Sequence, residues 1–441
     1  MSFKLLSEQE EHKVKQYAEA FYNKLKQSDV LNSNRLFGIE VEFSIINNKN
    51  KLQPMFSELL SEKISDHYIV PELGSYQIEI NPPPLPLIKG CFNSFYNTLQ
   101  QSRTLLEKNA KQHQVEIIPI GIPFYIQSDL FQNLNQNFTQ KNRYLVSAHY
   151  FGDYNKDGLF VPYKNGDGFL LPGDTGVTII NELHVQIQSL NIEDLMNLFN
   201  YSQLITAPFI CLGANSGITN GLELTNIEHQ IEIFEKSEGV FDGKPGFPRV
   251  GFFPSYIHSL DEYIDIALSF KPLYYPTDEE GSTAFDLMLG IYYGWTRIRY
   301  GITPTPHFRI EFRPLSVQPT MIENIALSEC YIKSLLTLMN AKVPLLPEHY
   351  LKNNFKEAIK EGMDAHLFWN LGKGVNKYPV HEILQWIIEK TSDGEFLEIM
   401  KKRIQKKQSP TQKLISETKR IGYTRAIEQY KKCFQNEIPY I

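Results

Sequence analysis

The sequence has little cysteine and no long apolar run. Its four cysteines are far apart along 441 residues and show no metal-binding or redox spacing, so we expect reduced thiols. No apolar run reaches the roughly 18 residues that cross a membrane. Residues 1–8 become acidic too early for a signal peptide. These absences predict a cytoplasmic protein with no membrane partner.

The chain also lacks a basic excess and the common nucleotide-binding loops. A formal net charge of −6 gives no positive field for a polyanion, so no nucleic-acid partner is expected. Neither a G-x-x-x-x-G-K-[ST] loop nor a G-x-G-x-x-G turn after a strand is present. The usual phosphate-binding loops are therefore excluded.

Four short stretches alternate apolar and polar side chains with a period of two, as strands with one buried face do. In the first, residues 37–43, Glu40 and Glu42 would project from one face and apolar side chains from the other. The other three stretches carry these polar groups on one face: Gln77 and Glu79; Glu182, His184 and Gln186; Arg309, Glu311 and Arg313. We expect one sheet with an apolar back and a polar, ion-binding front.

Carboxylates crowded on one sheet face repel each other unless they are solvated, protonated, paired with cations or bound to metal. The first stretch alone could be an edge strand with a solvated acidic face. The recurrence of the pattern favours a metal site with six ligands: Glu40, Glu42, Glu72, Glu79, His184 and Glu311. Such oxygen-rich donors fit two or three magnesium ions, whereas zinc would recruit more His or Cys. Glu182 could also point into this basin, but residues at strand ends are often exposed, so it is left out of the site.

Magnesium clusters usually act on phosphates by bridging their oxygens. Arg313 would lie beside Glu311 on the same face and could stabilise a phosphoryl group in transfer. The pattern therefore favours ATP-dependent phosphoryl chemistry, with Arg313 and Glu311 as catalytic residues. Glycoside hydrolysis fits worse, because it needs two carboxylates rather than a metal-sized cluster with an arginine.

The length predicts more than one structural unit, because 441 residues exceed the roughly 250–300 residues of a single core. The periodicity predicts an N-terminal packing helix in residues 1–34, a catalytic domain in residues 35–345 and a helical C-terminal region in residues 346–441. Within the catalytic domain, residues 284–299 are expected to form an apolar helix. Residues 412–433 are expected to form one long helix near the C-terminus.

The order of several motifs resembles that of glutamate-cysteine ligases, in the plant and proteobacterial branch that also includes related carboxylate-amine ligases. The motifs are the G-I-E-V-E-F start at Gly38, the segment from Glu72 to Asn81, Leu183-His184-Val185, Ala214-Asn215-Ser216, the stretch 263–274, and the E-x-R pair of Glu311 and Arg313. The match covers roughly residues 35–320. The ordered combination is more specific than any single motif.

This resemblance implies a glutamine-synthetase-like α+β fold, in which an antiparallel β-sheet forms a funnel and helices pack outside it. It also implies that ATP phosphorylates a substrate carboxylate and that an amine then attacks the acyl phosphate to give an amide and phosphate. The metal ligands of the family correspond to the six residues named above, and its γ-phosphate arginine corresponds to Arg313. Glutamate and cysteine are the leading substrate pair, and no oligomeric state is predicted.

Further positions bear on the substrate. Asn215, Ser216 and Gln77 are expected to contact it. Many relatives carry an R-x-H-x-W-like stretch after the Ala-Asn-Ser turn, and its arginine helps to bind substrate or phosphate, but this chain has Gln230 at that place. Arg249 could supply the missing charge. The departure leaves open a different acid or amine, and a catalytically silent nucleotide-binding relative is a further alternative.

Overall fold

The computed structural model describes residues 5–27, 30–59, 67–127, 130, 137–173, 175–253, 255–275, 282–303 and 305–441. The strands are β1 (Leu36–Ile46), β2 (Ile69–Pro71), β3 (Gln77–Ile80), β4 (Leu85–Pro86), β5 (Glu116–Ile118), β6 (Leu159–Pro162), β7 (Gly168–Leu171), β8 (Glu182–Gln188), β9 (Ile218–Thr219), β10 (Leu222–Glu223), β11 (Val250–Gly251), β12 (Tyr293–Gly294), β13 (Thr296–Gly301), β14 (His307–Ser316), β15 (His366–Asn370) and β16 (Val375–Pro379).

The α-helices are α1 (Glu8–Leu25), α2 (Phe56–Leu59), α3 (Cys91–Gln112), α4 (Asn142–Tyr154), α5 (Ile192–Gly213), α6 (His229–Glu238), α7 (Leu260–Ser269), α8 (Ser282–Gly290), α9 (Met321–Asn340), α10 (Glu348–Glu361), α11 (Val380–Lys390), α12 (Leu397–Lys406), α13 (Pro410–Ile421) and α14 (Tyr423–Asn436). Short 3-10 helices lie at Gly176–Ile179 and Gly362–Asp364. Among the residues just given, no helix combines the length and apolar character needed to cross a membrane.

One sheet holds the four predicted strands together. Its strand order is β13-β14-β8-β1-β3-β2, each neighbouring pair is antiparallel, and β4 and β5 also pair with β1. Within the described ranges the sheet stays open, with β13 and β2 at its edges. The predicted α+β class with an antiparallel sheet is confirmed.

Helices cover the apolar face of this sheet. Phe37 of β1 packs on Phe92 of α3 with ring centroids 4.8 Å apart, and Phe312 of β14 stacks on Tyr331 of α9 at 4.0 Å. All four side chains are buried. Because side chains alternate along a strand, burial of this face turns the polar residues of the same strands to the other face.

The N-terminal helix α1, which the sequence predicts as a packing helix, begins at a capping box. The N–H of Glu10 donates to the Ser7 hydroxyl, and the N–H of Ser7 donates to a Glu10 carboxylate oxygen at 2.7 Å. Tyr22 then stacks on Phe285 of α8 at 5.6 Å, which packs the helix on the catalytic region. The domain boundaries after residues 34 and 345 stay predictions.

Two helices predicted from periodicity are wrong. Helix α8 ends at Gly290, and the chain up to Arg299 forms β12 and part of β13. Residues 292–296 are mainly aromatic or β-branched, which suits a strand, although their apolar spacing is also compatible with a helix. The helix predicted at 412–433 breaks at Gly422, whose φ of 86° is a left-handed conformation that glycine adopts without strain. The C-terminal region also contains a hairpin of β15 and β16, so it is not wholly helical.

A buried ion pair fastens the C-terminal region to the rest of the fold. Arg403 of α12 and Glu323 of α9 have fully buried side chains, with 2.7 Å between a guanidinium nitrogen and a carboxylate oxygen. Arg403 also donates to the Gln318 side chain at 2.6 Å and to the Leu212 carbonyl at 3.1 Å. These contacts compensate the burial of the charge, although Nε of Arg403 has no hydrogen-bond partner among the described residues.

Substitution of Arg403 by leucine should therefore lower the free energy of unfolding by about 3–5 kcal/mol, because it leaves the Glu323 carboxylate buried without a cation. Urea denaturation followed by circular dichroism measures this change. Lys401→Ala is the matched control, since Lys401 lies on the same helix in an exposed pair with Glu398 and should cost about 0.5 kcal/mol or less. Equal effects of the two substitutions would contradict the anchoring role of Arg403.

Candidate active site

The strand register brings the predicted ligands into direct opposition on the polar face of the sheet. The directly opposed pairs are Glu42 with Glu79, Glu40 with His184, and Gln186 with Glu311. Opposed side chains in an antiparallel pair have Cβ atoms about 4.5–5.5 Å apart. Residues from four separate stretches of sequence therefore meet in one cluster, as the sequence predicts.

Two triads in this cluster have the spacing of metal ligands. One consists of Glu40, His184 and Glu311, and the other of Glu42, Glu79 and His184. In each triad the ligand atoms lie within 4.8 Å of one another. His184 belongs to both, so its imidazole is the centre of the cluster. These five residues are five of the six predicted metal ligands.

The imidazole of His184 is held between two carboxylates. Its Nδ1 lies 2.9 Å from Glu40 Oε2, and its Nε2 lies 2.6 Å from Glu182 Oε2. Burial and the Arg313 guanidinium oppose protonation, but the hydrogen bonds to Glu182 and Glu40 outweigh them and raise the pKa of His184 well above its ordinary value. His184 thus carries a proton that both carboxylates attract.

Three other acidic residues of the cluster, Glu42, Glu79 and Glu72, lie close enough to repel one another. Burial, followed by the charge of Glu72, raises the pKa of Glu42 well above its ordinary value. Burial, followed by the charges of Glu40, Glu72 and Glu42, does the same for Glu79. Glu72 itself is partly exposed and belongs to neither triad, but it lines a cavity beside Glu42, and burial raises its pKa. This half of the cluster holds more negative charge than the neighbouring side chains neutralise.

The opposite half of the cluster is neutralised by arginines. Glu311 Oε1 accepts hydrogen bonds from Arg297 at 2.8 Å and from Arg313 at 2.7 Å. Although burial opposes its ionisation, the Arg297 and Arg313 guanidiniums hold the pKa of Glu311 well below its usual range. Arg313 donates its other terminal nitrogen to Glu182 at 2.8 Å. Glu311 is therefore an ionised carboxylate fixed between two cations.

Two cavities lined by described residues adjoin the cluster. The larger, of about 450 Å³, is lined by Glu40 together with Gln186 and Arg309. The smaller, of about 140 Å³, is lined by Glu42 together with Arg313. Glu40 and Glu42 belong to different triads, so each triad contributes a carboxylate to one cavity. The geometry allows two separate molecules to reach one charged cluster.

The sequence as a whole identifies the family of the chain. Residues 36–427 match the sequence profile of glutamate-cysteine ligase family 2 (GCS2). The chain belongs to this family. It is accordingly an ATP-dependent ligase. No curated protein sequence matches this ligase.

Solved structures share the fold of this ligase. Glutamate-cysteine ligase from Francisella tularensis in complex with AMP has a TM-score of 0.58 and 12% identity, over 94% of this chain and 91% of that one. A bifunctional glutathione synthetase from Pasteurella multocida has a TM-score of 0.50 and 13% identity, over 97% of this chain and 54% of that one. At such low identity the likeness shows the fold alone.

Three residues that sequence reasoning left out also lie at the site. Glu182 joins His184 to Arg313, and Arg297 pairs with Glu311. Glu238, at the end of α6, lines the smaller cavity. The alternation along β8 places Glu182 on the polar face with His184, and the sequence analysis left it out only because it lies at the end of its strand. Arg297 was missed because its strand was predicted as a helix.

The residues predicted to bind substrate lie in different environments. Gln77 lines the smaller cavity, but its amide already accepts from the Gly74 N–H at 2.9 Å and donates to the Ile180 carbonyl at 2.5 Å. The Asn215 N–H and the Ser216 hydroxyl both donate to the buried carboxylate of Glu228 at 2.9 Å. Asn215 and Ser216 line neither cavity. Their roles in substrate binding stay predictions.

Arg249 and Gln230 also lie outside the linings of the two cavities. Arg249 is fully buried, forms an ion pair with Asp242 and donates to the Lys271 carbonyl at 2.8 Å. Gln230 is buried in α6, and its N–H donates to the Ser216 hydroxyl at 3.1 Å. Neither residue therefore supplies a cation to the smaller cavity in place of the arginine that many relatives carry.

Magnesium binding at this cluster should release protons. The raised pKa values of Glu42 and Glu79 keep part of these carboxyls protonated when no cation is bound, so an entering Mg²⁺ displaces protons. The affinity for Mg²⁺ should rise with increasing pH, because fewer of these carboxyls then carry a proton that the ion must displace. Isothermal titration in buffers with different ionisation enthalpies measures both quantities.

Glu79→Gln should weaken Mg²⁺ binding at least about tenfold and reduce the proton release, since it removes one ligand charge. Glu116→Gln is the control. Glu116 lies on β5, which pairs with β1 of the same sheet, and it forms an ion pair with Lys431. A Glu79→Gln variant with the affinity and proton release of the wild type would contradict the metal assignment.

Proposed function

We propose that this ligase is ATP- and Mg²⁺-dependent and joins a carboxylate to an amine through an acyl phosphate, with glutamate and cysteine as the leading pair. The supporting observation is the pair of triads that share His184 and adjoin two cavities. This arrangement lets a nucleotide and an acid meet at one cluster of cations. Glutamate-cysteine ligases form the family to which the chain belongs.

The donor set suits magnesium. Glu42 and Glu79 are 6% and 5% exposed and form no ion pair with the described residues, and Glu182 Oε1 has no hydrogen-bond partner there. Buried carboxylates without a cation are costly, and oxygen donors are those that Mg²⁺ prefers. We assign two or three ions to Glu40, Glu42, Glu79, His184 and Glu311, with Glu72 beside them. When bound, such ions neutralise phosphate oxygens during phosphoryl transfer.

Arg313 is the residue best suited to contact the transferred phosphoryl group. Its two terminal nitrogens donate to Glu311 and Glu182, which fixes the guanidinium plane. Its Nε is buried without a hydrogen-bond partner among the residues described, so one N–H remains for an acceptor. A fixed donor in a site that excludes water stabilises the charge that develops in the transition state.

The two cavities divide the substrates between them. We assign ATP to the larger cavity beside Glu40, and the AMP in the Francisella ligase supports a nucleotide site in this fold. The acid enters the smaller cavity beside Glu42 and Arg313, where its carboxylate oxygen attacks the γ-phosphorus and ADP leaves. The amine nitrogen then attacks the carbonyl carbon of the acyl phosphate, loses a proton and expels inorganic phosphate.

One observation favours the alternative that the enzyme joins an acid or an amine other than glutamate and cysteine. Among the described residues that line the smaller cavity, Arg313 is the one cationic side chain, and both of its terminal nitrogens are in ion pairs. Gln230 is neutral, and Arg249 is paired with Asp242. A substrate with a free α-carboxylate would therefore find few partners there unless an ion provided them.

The first experiment is phosphate release from ATP in the presence of Mg²⁺, with glutamate alone, with glutamate plus cysteine, and with a panel of acids and amines. Mass spectrometry identifies the product. γ-Glutamylcysteine would support the leading pair, and another amide would support the alternative. Phosphate release that no acid or amine of the panel stimulates would contradict the proposed carboxylate-amine reaction and favour a catalytically silent relative.

Glu311→Gln should lower turnover by about 100- to 1000-fold, because it removes a metal-binding charge and the shared partner of Arg297 and Arg313. Steady-state phosphate release with the best substrate pair measures this loss. The circular dichroism spectrum should stay that of the wild type, since glutamine keeps the shape of the side chain.

Glu235→Gln is the matched control for this substitution. Glu235 accepts from the Trp295 indole N–H at 2.8 Å and lines neither cavity, and glutamine keeps an acceptor there. Its turnover should equal that of the wild type. Full activity of Glu311→Gln would remove Glu311 from the proposed mechanism.

A further inference from the structure

Glu238 is a buried carboxylate that faces the smaller cavity without a partner. Its side chain is 4% exposed and belongs to the cavity lining. Within the described ranges it forms neither a hydrogen bond nor an ion pair through its carboxylate. Burying a carboxylate in this way is costly, and proteins usually keep such a group only where it is paired or has a function.

The geometry of helix α6 places the Glu238 carboxylate at the cavity. Phe234 and Glu238 are four residues apart, so they lie on one face, and both line the cavity. Glu235, three residues before Glu238, accepts a hydrogen bond from Trp295 instead and does not line the cavity. The orientation of Glu238 is thus set by the helix, which places a carboxylate beside an aromatic wall.

The other charged groups at this cavity leave an excess of negative charge. The titratable residues that line it with Glu238 are Glu42, Glu72, Glu182, Arg313, Tyr144 and Tyr293. Arg313 is already paired with Glu311 and Glu182. Glu42 and Glu72 adjoin the proposed ions, and Glu182 is bonded to His184. Glu238 is therefore the carboxylate left for a ligand.

We propose that Glu238 binds the ammonium group of an amino-acid substrate in the smaller cavity. This inference rests on the proposed ligase function and extends it to recognition of the substrate. An ammonium–carboxylate hydrogen bond is stronger than a neutral one, and it gains further where water is excluded. The group could belong to the acid, as in glutamate, or to the amine, as in cysteine, and the two sources are separable by experiment.

The electrostatics of the site agree with this role. Burial raises the pKa of Glu238 to about 8, although the Arg249 and Arg313 guanidiniums act in the opposite direction. An ammonium group at the carboxylate would favour its ionised form and lower this pKa again. The free energy that burial costs would thus be recovered when the substrate binds.

The test compares wild type with Glu238→Gln, which keeps the shape and removes the charge, and with Glu235→Gln as the control from the same helix. Isothermal titration measures binding of glutamate, glutarate and cysteine in the presence of Mg²⁺ and a non-hydrolysable ATP analogue. Glutarate is glutamate without the ammonium group. This measurement needs no turnover, so it is independent of the phosphate-release test of ligase function.

We expect Glu238→Gln to weaken binding of one amino acid by about 10- to 100-fold. A loss for glutamate with unchanged binding of glutarate would assign the ammonium to the acid. A loss for cysteine with unchanged binding of glutamate would assign it to the amine. Glu235→Gln should bind all three probes as the wild type does.

The inference would be overturned if Glu238→Gln bound both glutamate and cysteine with the affinities of the wild type. It would also be overturned if the wild type bound neither amino acid. Equal losses for glutamate and glutarate would also overturn it, because they indicate a general distortion of the cavity. Phosphate release stimulated by the substrates, together with unaltered binding by Glu238→Gln, would leave the ligase function standing and remove only the role of Glu238.

Discussion

The structure depends on the neutralisation of carboxylates that one buried sheet face forces together. Glu42 and Glu79 are opposed across β1 and β3, and Glu40 adjoins them one pair further along. Charges so close and so little solvated repel strongly, because the low local dielectric weakens screening. The fold holds them because helices bury the opposite, apolar face of the same strands. The free energy of that packing is what keeps the carboxylates together.

The carboxylates are neutralised to different extents across the sheet, and this difference divides the site into two halves. At the β13 and β14 side, Arg297 and Arg313 keep Glu311 ionised. At the β3 side, the described residues offer Glu79 no such cation. His184 lies between the two halves and shares its proton with carboxylates on both sides. In the proposed mechanism a phosphate meets guanidinium donors on one side and the carboxylates proposed to bind ions on the other, which suits phosphoryl transfer.

Substrate choice is a separate matter from this chemistry. On helix α6, Gln230 belongs to a buried hydrogen-bond network, whereas Phe234 and Glu238 line the smaller cavity. A ligase that lacks a free cation at this wall cannot recognise an α-carboxylate through it, whereas a carboxylate there suits an ammonium group. If Glu238 binds the substrate as proposed, the same cluster can serve different acids or amines, because the selecting residue lies on another element.

The sequence alone determined which side chains share a face, because the period of two along a strand fixes this locally. That was enough to predict the polar front and to place five of the six candidate ligands, together with Arg313, on it. It did not determine the strand order and register, which decide that His184 belongs to both triads and that Glu182 reaches Arg313. Nor did it separate helix from strand around Arg297, since apolar spacing there fits either. Only tertiary packing chooses between such alternatives, because it alone specifies which face is buried and against which element.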